Sequence, residues 1–263
     1  MISIKSPREI EFMRQTCRLA ADTLEYAGNL VKEGITTEYI NQKVHNYIVE
    51  HGAYPSPLNY KGFPKSVCTS RNEVICHGIP SEKDLLKKGD ILNIDVTTYL
   101  NGFHGDTNRT FFVGQVKPEI EKFVEVVYNC MMAGIAQVKP GLHLGNVGAI
   151  IEEMAHAEKY SVVQEYCGHG IGREFHEDPQ VLHFGKRGTG VKLKEGMTFT
   201  IEPMINLGKR HCKLLSDKWT VVTQDRSWSA QFEHTVLVTS DGCEVLTSSP
   251  QERVDGKNKF FHH

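Results

Sequence analysis

The feature that most constrains this chain is an internal repeat whose matching segments lie 107 residues apart. Val31–Gly34 corresponds to Val138–Gly141, and each of these segments precedes apolar residues at helical spacing. Farther along, Lys88–Asp95 corresponds to Glu195–Glu202 with the same offset. Because one offset holds at both ends, duplication explains the similarity better than chance resemblance of turn sequences does.

A duplicated chain predicts two similar halves, which we place at about residues 1–114 and 115–249 of a single domain. Residues 250–263 are polar and are predicted to form a C-terminal tail. Equivalent polar residues of the two halves, such as Asp95 and Glu202, should converge on a pseudo-twofold axis. His77-Gly78-Ile79 also recurs as His169-Gly170-Ile171, so each half contributes a histidine. We therefore expect a functional site at this axis.

Each half is predicted to begin with helices and to continue with strands. Ser6-Pro7-Arg8-Glu9 has the pattern of an N-cap, a first-turn proline and a capping-box acid, and apolar residues then recur at steps of three and four up to Val31. Residues 119–138 form the matching helix of the second half, and Gly52 suits the residue after a helix. Runs of strands beside helices predict an α+β fold in which helices cover one face of a mainly antiparallel sheet.

Two carboxylates lie on one face of a predicted hairpin. Leu92, Ile94 and Val96 alternate with polar residues that include Asp95, and a second strand from about Gly105 to Val113 carries Asp106. Asn101-Gly102 predicts the turn, and the two registers it allows place Asp106 opposite either Thr97 or Asp95. Like charges this close need compensation, for which a cation is the simplest source. The hairpin by itself is explained equally well by a polar face of the sheet that is exposed to water.

Residues of the second half favour the metal site over the solvated polar face. Glu202 ends one strand, Glu233 lies in a strand predicted from Gln231 to Val238, and His169 stands between glycines that permit close backbone approach. Four carboxylates and one imidazole suit two divalent ions bridged by carboxylates, an arrangement found in phosphatases, nucleases and aminopeptidases alike. Ligands of this kind favour Mn, Fe, Co or Zn.

Two further histidines are candidates for proton transfer or for polarising a carbonyl group. His77 lies in the repeated element, and His176 lies in a polar loop soon after His169. The alternative for His176 is an ordinary surface histidine. His104, His183 and His211 are assigned no functional role.

The composition excludes several classes of protein. With 30 basic and 32 acidic residues the chain has a formal net charge of −2, which gives no electrostatic reason to expect nucleic acid or an anionic membrane as the main partner. No run approaches the length of a transmembrane helix, and the N-terminus resembles neither a signal nor a transit peptide. The seven cysteines, an odd number without a C-x-x-C pair, are interpreted as reduced thiols of a cytoplasmic protein.

Seven segments together resemble the type I methionine aminopeptidases, a family with the pita-bread fold of prolidase and creatinase. The resemblance extends from about residue 3 to residue 248 and is specific because the motifs are long and occur in order. It implies two duplicated α/β halves around a curved, mainly antiparallel sheet. The segments are Tyr60–Cys68, Asn72–Pro80, Asn93–Val96, Gly102–Thr107, Tyr166–Gly172, Phe199–Met204 and Gln231–Thr235.

The resemblance implies a role for each candidate residue. Asp106 and Glu233 are expected to bridge two divalent ions, Asp95 to bind one ion, and His169 and Glu202 to bind the other. Glu202 is also expected to accept a proton from the attacking water. His77 is expected to contact the scissile amide, and His176 to stabilise the tetrahedral intermediate.

The resemblance also implies two binding sites. The methionine side chain is expected in a pocket lined by Tyr60, Phe63, Cys68, Phe175 and Trp219. A monovalent cation, Na or K, is expected at Asn72, Val74 and Ser229. Pro57 and Phe63 depart from the residues more familiar in bacterial members.

The implied function is removal of the initiator methionine from nascent proteins and peptides, with preference for a small second residue. A metal-dependent cytoplasmic monomer is expected, with ribosome association as a further expectation. The alternatives are another pita-bread peptidase, such as a proline-specific one, and a catalytically inactive relative that binds partners.

Overall fold

The computed structural model describes residues 2–249, so the tail predicted at 250–263 lies outside the described residues. Four α-helices occur in this part of the chain: α1 Pro7–Gly28, α2 Thr37–Glu50, α3 Pro118–Ile135 and α4 Gly145–Ala157. A short 3₁₀ helix spans Tyr60–Gly62. The first four strands are β1 Tyr54–Pro55, β2 Cys68–Arg71, β3 Val74–Cys76 and β4 Ile91–Leu100.

Eleven further strands complete the described chain. They are β5 Phe103–Phe112, β6 Ser161–Val162, β7 Gly168–Gly170, β8 Glu177–Val181, β9 Thr198–Ile201, β10 Met204–Asn206, β11 Cys212–Leu214, β12 Val221–Thr223, β13 Ser229–Gln231, β14 Glu233–Val238 and β15 Cys243–Val245. The predicted strand from Gln231 to Val238 is in fact divided at Phe232, because Gln231 pairs with Met204 of β10 whereas Glu233 pairs with Asn108 of β5.

The principal sheet has nine strands, and every pairing between its strands is antiparallel. Its order is β1-β4-β5-β14-β9-β7-β8, with β2 paired to β4 and β15 paired to β14. Two smaller sheets have the orders β13-β10-β6 and β11-β12-β3. Strands from both halves therefore join side by side where β5 meets β14, near the middle of the principal sheet.

The predicted helix boundaries follow from local sequence signals. At α1 the Ser6 hydroxyl accepts from the Glu9 backbone N–H, and the Glu9 carboxylate accepts from the Ser6 N–H at 2.9 Å, which confirms the capping box. Gly52 follows α2 with a φ of 74°, as expected for a residue that ends a helix. The second-half helix spans Pro118–Ile135 rather than 119–138.

The internal repeat of the sequence also appears in the backbone hydrogen bonds of the two halves. The Gly34 N–H donates to the Leu86 carbonyl at 3.0 Å, and 107 residues later the Gly141 N–H donates to the Leu193 carbonyl at 2.9 Å. The isolated bridge between Thr36 and Leu85 likewise recurs between His143 and Lys192. Both halves therefore enter their second helix through the same turn.

The helices bury one face of the sheet. Leu92, Ile94 and Val96 of β4 pack with apolar residues of α1 and α2, and Phe199 and Ile201 of β9 pack with α3 and α4. Gly105 permits close contact between α1 and β5, because a Cβ there would lie 2.7 Å from the Cys17 nitrogen. Asn93, Asp95, Asp106 and Asn108 consequently occupy the opposite face of β4 and β5, whereas Thr98 and Arg109 contact α1.

Candidate metal centre

The hairpin of β4 and β5 places two carboxylates side by side. Asn101 and Gly102 have φ values of 54° and 83°, as a two-residue turn with two left-handed positions requires, and Thr97 pairs with Asp106. This is the first of the two predicted registers, so Asp95 and Asp106 are diagonal neighbours. The Thr97 hydroxyl donates to Oδ1 of Asp106 at 2.7 Å.

Three more candidate ligands come from neighbouring strands. Glu233 begins β14 opposite Asn108, whose amide donates to Oε2 of Glu233 at 2.7 Å. Nε2 of His169 lies 3.7 Å from Oδ2 of Asp106 and 3.7 Å from Oε1 of Glu202. All five predicted ligands line one cavity.

The ligand atoms fit a divalent ion. One ligand atom each from Asp106, His169 and Glu233 lie within 4.8 Å of one another. Two buried carboxylate oxygens, Oδ1 of Asp95 and Oε1 of Glu233, have no hydrogen-bond partner. An unpaired carboxylate oxygen is costly to bury, and a cation between the two carboxylates removes that cost. Four carboxylates with one imidazole and no thiolate match the donors that Mn, Fe, Co and Zn accept.

The raised pKa values of the four carboxyl groups also indicate a cation site. Burial raises the pKa of Asp95 to about 7, against a hydrogen bond with Asp106 that lowers it. Burial also raises the pKa of Glu202 to about 8, with a contribution from the charge of Asp95 that the Thr200 hydroxyl opposes. The pKa values of Asp106 and Glu233 are raised well above their usual range by burial and by the surrounding carboxylates. Four negative charges are therefore unstable here without cations.

His169 has the tautomer that a metal ligand needs. Its Nδ1 lies 2.9 Å from the Gly170 carbonyl oxygen, which can only accept, so Nδ1 carries the proton and the Nε2 lone pair faces the carboxylates. Burial lowers the pKa of His169 to about 4, which keeps the ring neutral. The flanking glycines are required sterically, since a Cβ at Gly168 would lie 2.5 Å from the Thr200 carbonyl oxygen.

The two candidate proton-transfer histidines lie on the wall of the same cavity. His77 has a φ of 55°, in the left-handed region, and its ring meets those of Tyr166 and Trp219 edge-on. Nδ1 of His176 lies 2.9 Å from the Tyr60 hydroxyl, and its ring centroid lies 4.1 Å from that of His169. Burial lowers the pKa of both rings, that of His176 to about 3, so both are neutral.

An aromatic compartment adjoins the carboxylates. The cavity has a volume of about 320 Å³, and all five predicted pocket residues line it. The Phe63 and Trp219 rings meet edge-to-face with centroids 5.2 Å apart, and the ring centroids of Tyr60 and Phe175 are 4.9 Å apart. Pro57 also lines the cavity, so both unusual residues noted in the sequence face the site. The arrangement can bind an apolar side chain with its backbone next to the carboxylates.

The predicted monovalent-cation residues lie outside this cavity. The Ser229 N–H donates to the Asn72 carbonyl at 2.9 Å, and Val74 follows in β3. The Asn72 side chain is held by Asp90 and by the Ile91 N–H, which leaves backbone carbonyls as the candidate ligands. The cation site itself stays a prediction.

Sequence reasoning missed several residues that support the site. His183 was assigned no role, yet its Nε2 accepts from the Glu202 N–H at 3.1 Å. His104, also assigned none, stacks on Phe175 with centroids 5.5 Å apart. Gln231 donates to Oε2 of Glu202 at 3.2 Å. No local pattern identifies such residues, because their contacts join segments far apart in the chain.

Comparison with known proteins agrees with this geometry. The sequence profile of metallopeptidase family M24 matches residues 11–240. The methionine aminopeptidase of Escherichia coli (strain K12) is 53% identical over 249 residues, which cover 94% of each chain. The crystal structure of methionine aminopeptidase from Rickettsia prowazekii matches with a TM-score of 0.93 and 51% identity, over 94% of this chain and 100% of that one. The prolidase of Pyrococcus horikoshii OT3, at 24% identity and a TM-score of 0.74, shares the fold alone.

Proposed function

The chain belongs to metallopeptidase family M24 and to its type I methionine aminopeptidases, and from this membership we propose that it removes the N-terminal methionine from peptides and nascent proteins. It is a metal-dependent hydrolase, and its pita-bread fold is the one that the motifs predicted. The observation that carries the proposal is a cluster of four uncompensated carboxylates and a neutral imidazole next to an aromatic cavity.

The ligands divide into bridging and terminal residues. Asp106 and Glu233 would both contribute to holding two divalent ions, Asp95 would complete the ligands of one ion, and His169 with Glu202 would complete those of the other. Bound Co, Mn, Fe or Zn ions polarise a carbonyl oxygen and acidify water. Support for this division comes from the central position of Asp106, which lies 3.7 Å from His169 and shares a hydrogen bond with Asp95.

Glu202 serves as the base that takes a proton from the attacking water. The Thr200 hydroxyl donates to its Oε1 at 2.7 Å and Gln231 donates to its Oε2 at 3.2 Å, so both oxygens are held in place. Because both oxygens are held, the carboxylate keeps a fixed orientation toward a water in the cavity, as a general base requires.

The histidines bind the substrate peptide. When the Tyr60 hydroxyl donates to Nδ1 of His176, the neutral ring carries its proton on Nε2, where it donates to the carbonyl oxygen that becomes negative in the transition state. His77, neutral and held at the cavity wall, contacts the scissile amide. The methionine side chain lies between Tyr60, Phe63 and Trp219, since a thioether packs well on aromatic edges.

A cleavage assay tests the proposal. The metal-stripped protein is supplied with Mn, Fe, Co or Zn in turn, and release of free methionine from Met-Ala-Ser is measured beside Met-Lys-Ser, Leu-Ala-Ser and Ala-Pro-Ser. Metal-dependent release from Met-Ala-Ser alone is the expected result. Cleavage of Ala-Pro-Ser instead would indicate a proline-specific peptidase, and a folded protein that binds no metal would leave only the partner-binding alternative.

The physiological setting is proposed on separate grounds. A monomeric enzyme is proposed from the family resemblance alone. The seven cysteines are unpaired, which suits the reducing cytoplasm, where nascent chains emerge from ribosomes. No helix between residues 2 and 249 is long and apolar enough to cross a membrane. Light scattering tests the oligomeric state, and co-sedimentation with translating ribosomes tests whether the protein associates with them.

A further inference from the structure

A buried ion pair lies beside the strand that carries His169, and neither of its members is a candidate metal ligand. Nζ of Lys5 is 2.7 Å from Oε2 of Glu177, and the two side chains are only 2% and 14% exposed. The Lys5 backbone N–H donates to the Gly196 carbonyl at 2.8 Å, which fixes the N-terminal segment there. A Cβ at Gly172 would lie 2.6 Å from Nζ of Lys5 and 2.8 Å from Oε1 of Glu177, so the pair packs directly against the backbone.

The pair closes the turn that carries His176. Oε1 of Glu177 accepts from the Glu174 N–H at 3.2 Å, and the Gly172 N–H donates to the Glu174 carbonyl at 3.2 Å. Glu177 itself begins β8 and pairs with Gly170 of β7. One carboxylate therefore joins the N-terminal segment, the turn and the strand that follows.

The turn that carries His176 lies largely at the surface. His176 is exposed as a residue, although the neighbouring rings desolvate its imidazole. Its described contacts are a hydrogen bond to Tyr60 and ring contacts with Tyr60, His169 and Phe175. These contacts fix the ring along the cavity wall only while the backbone of the turn holds His176 beside Tyr60 and His169.

We propose that the ion pair of Lys5 and Glu177 is a positioning element for His176, acting through the Gly172–Glu177 turn. This inference rests on the proposed function of His176. A buried ion pair generally contributes little stability compared with apolar residues of the same size, so stability alone does not explain its presence. The ion pair keeps the Nε2–H group of His176 at a fixed distance from the carbonyl oxygen of the substrate.

The first test compares Lys5→Met, Glu177→Gln and the double variant on Met-Ala-Ser. Lys5→Met leaves the Glu177 carboxylate buried without a counter-ion, so the carboxylate moves toward water and releases the Glu174 N–H. Because displacement by about 1 Å can cost about 10²-fold in rate, kcat should fall about 10–100-fold while KM changes little. In the double variant no charge is unpaired, and the amide oxygen that Glu177→Gln introduces still accepts from the Glu174 N–H. The double variant should therefore recover most of the lost kcat.

A matched control comes from the same turn. Arg173 pairs with Glu9 at 3.1 Å, but its side chain is 64% exposed. Arg173→Met removes an ion pair between the turn and the N-terminal region without leaving a buried charge. Its kcat should therefore stay close to that of the unsubstituted enzyme. Equal effects of Lys5→Met and Arg173→Met would overturn the proposal.

A second test separates positioning from general loss of structure. In a His176→Ala background, Lys5→Met should cause no additional fall in kcat, since the residue through which it acts is gone. An equal fall in both backgrounds would overturn the proposal. The ring signals of His176 in the NMR spectrum of the ion-free protein should also shift in Lys5→Met, because they depend on the adjacent Tyr60 and His169 rings, and unchanged signals would contradict positioning.

These outcomes are distinguishable from failure of the proposed function. If the unsubstituted protein releases no methionine with any metal, the proposed function fails, and the NMR measurement alone then decides whether the ion pair orients His176. If it releases methionine and Lys5→Met does so at the same kcat, only the positioning role fails.

Discussion

Replacing Asp95 with asparagine is expected to stabilise the folded protein when no divalent ion is bound. Asp95 has a pKa raised from 3.8 to about 7, chiefly by burial, and Oδ1 of this residue has no hydrogen-bond partner. The folded protein therefore holds a proton on this carboxyl across a pH range in which the unfolded chain has released it. An ion-free protein loses stability as pH rises through that range.

The magnitude follows from the shift. A difference of about three pKa units corresponds to about 4 kcal/mol of unfolding free energy once pH exceeds both values. The neighbouring carboxyls redistribute protons when one charge is removed, so we expect the asparagine variant to gain about 2–4 kcal/mol at pH 8. The gain should fall to about 1 kcal/mol or less near pH 4–4.5, because the pH then lies close to the unfolded pKa of 3.8 and the carboxyl is fully protonated in the folded state.

Urea unfolding in the presence of a chelator, at pH 4.5 and pH 8, measures this effect. In thermal unfolding under the same conditions, the asparagine variant of a chain of this length should gain about 5–10 °C in melting temperature at pH 8. Saturating Mn or Co should reverse the order of the two proteins, because the unsubstituted site binds ions more tightly and binding stabilises the folded state.

Asp90 provides the matched control. It is also buried, but hydrogen bonds from Asn72, from the Lys87 N–H and from Arg71 outweigh burial and lower its pKa. Asp90→Asn should therefore destabilise the ion-free protein at pH 8, by about 1–3 kcal/mol. An Asp95→Asn variant that is no more stable than the unsubstituted protein at pH 8, beside a destabilised Asp90→Asn, would refute the reasoning.

Four further substitutions have defined outcomes. Asp106→Asn should abolish activity and weaken divalent-ion binding in calorimetry while the circular dichroism stays unchanged, because it removes a ligand and not a core contact; normal turnover would contradict its bridging role. His176→Ala should lower kcat about 10²–10³-fold in steady-state assays, the usual cost of one lost oxyanion donor. Trp219→Ala should chiefly raise KM for methionine peptides, since it opens the wall that contacts Phe63; a pure kcat effect would place it elsewhere in the mechanism. Gly105→Ala should lower the unfolding free energy by about 1–3 kcal/mol, because the new Cβ would press on the backbone of α1.

Much of the fold follows from local sequence signals. The capping box at Ser6, the turn at Asn101-Gly102 and the alternation of Leu92, Ile94 and Val96 each depend on residues within a few positions of one another. Such signals determine where a helix begins and which face of a strand is buried. The register of the β4–β5 hairpin could be determined only from the structure, because the residue pattern is compatible with both registers.

The break at Phe232 illustrates where local reasoning fails. Gln231 and Glu233 look like parts of one strand because apolar and polar residues continue across them. Gln231 nevertheless pairs with β10 and Glu233 with β5, and this change of partner directs Glu233 into the cavity. The local residue pattern of a strand does not show which distant strand it pairs with.

The sequence by itself determined the repeat, the principal elements and the residue types of the site. It placed Asp95 and Glu202 at equivalent positions and so predicted that they converge. Only the tertiary structure decided that His183 accepts from the Glu202 backbone and that Lys5 reaches Glu177. Periodicity reports the burial of a face over a few residues, whereas pKa values, tautomers and buried ion pairs depend on which distant segments meet.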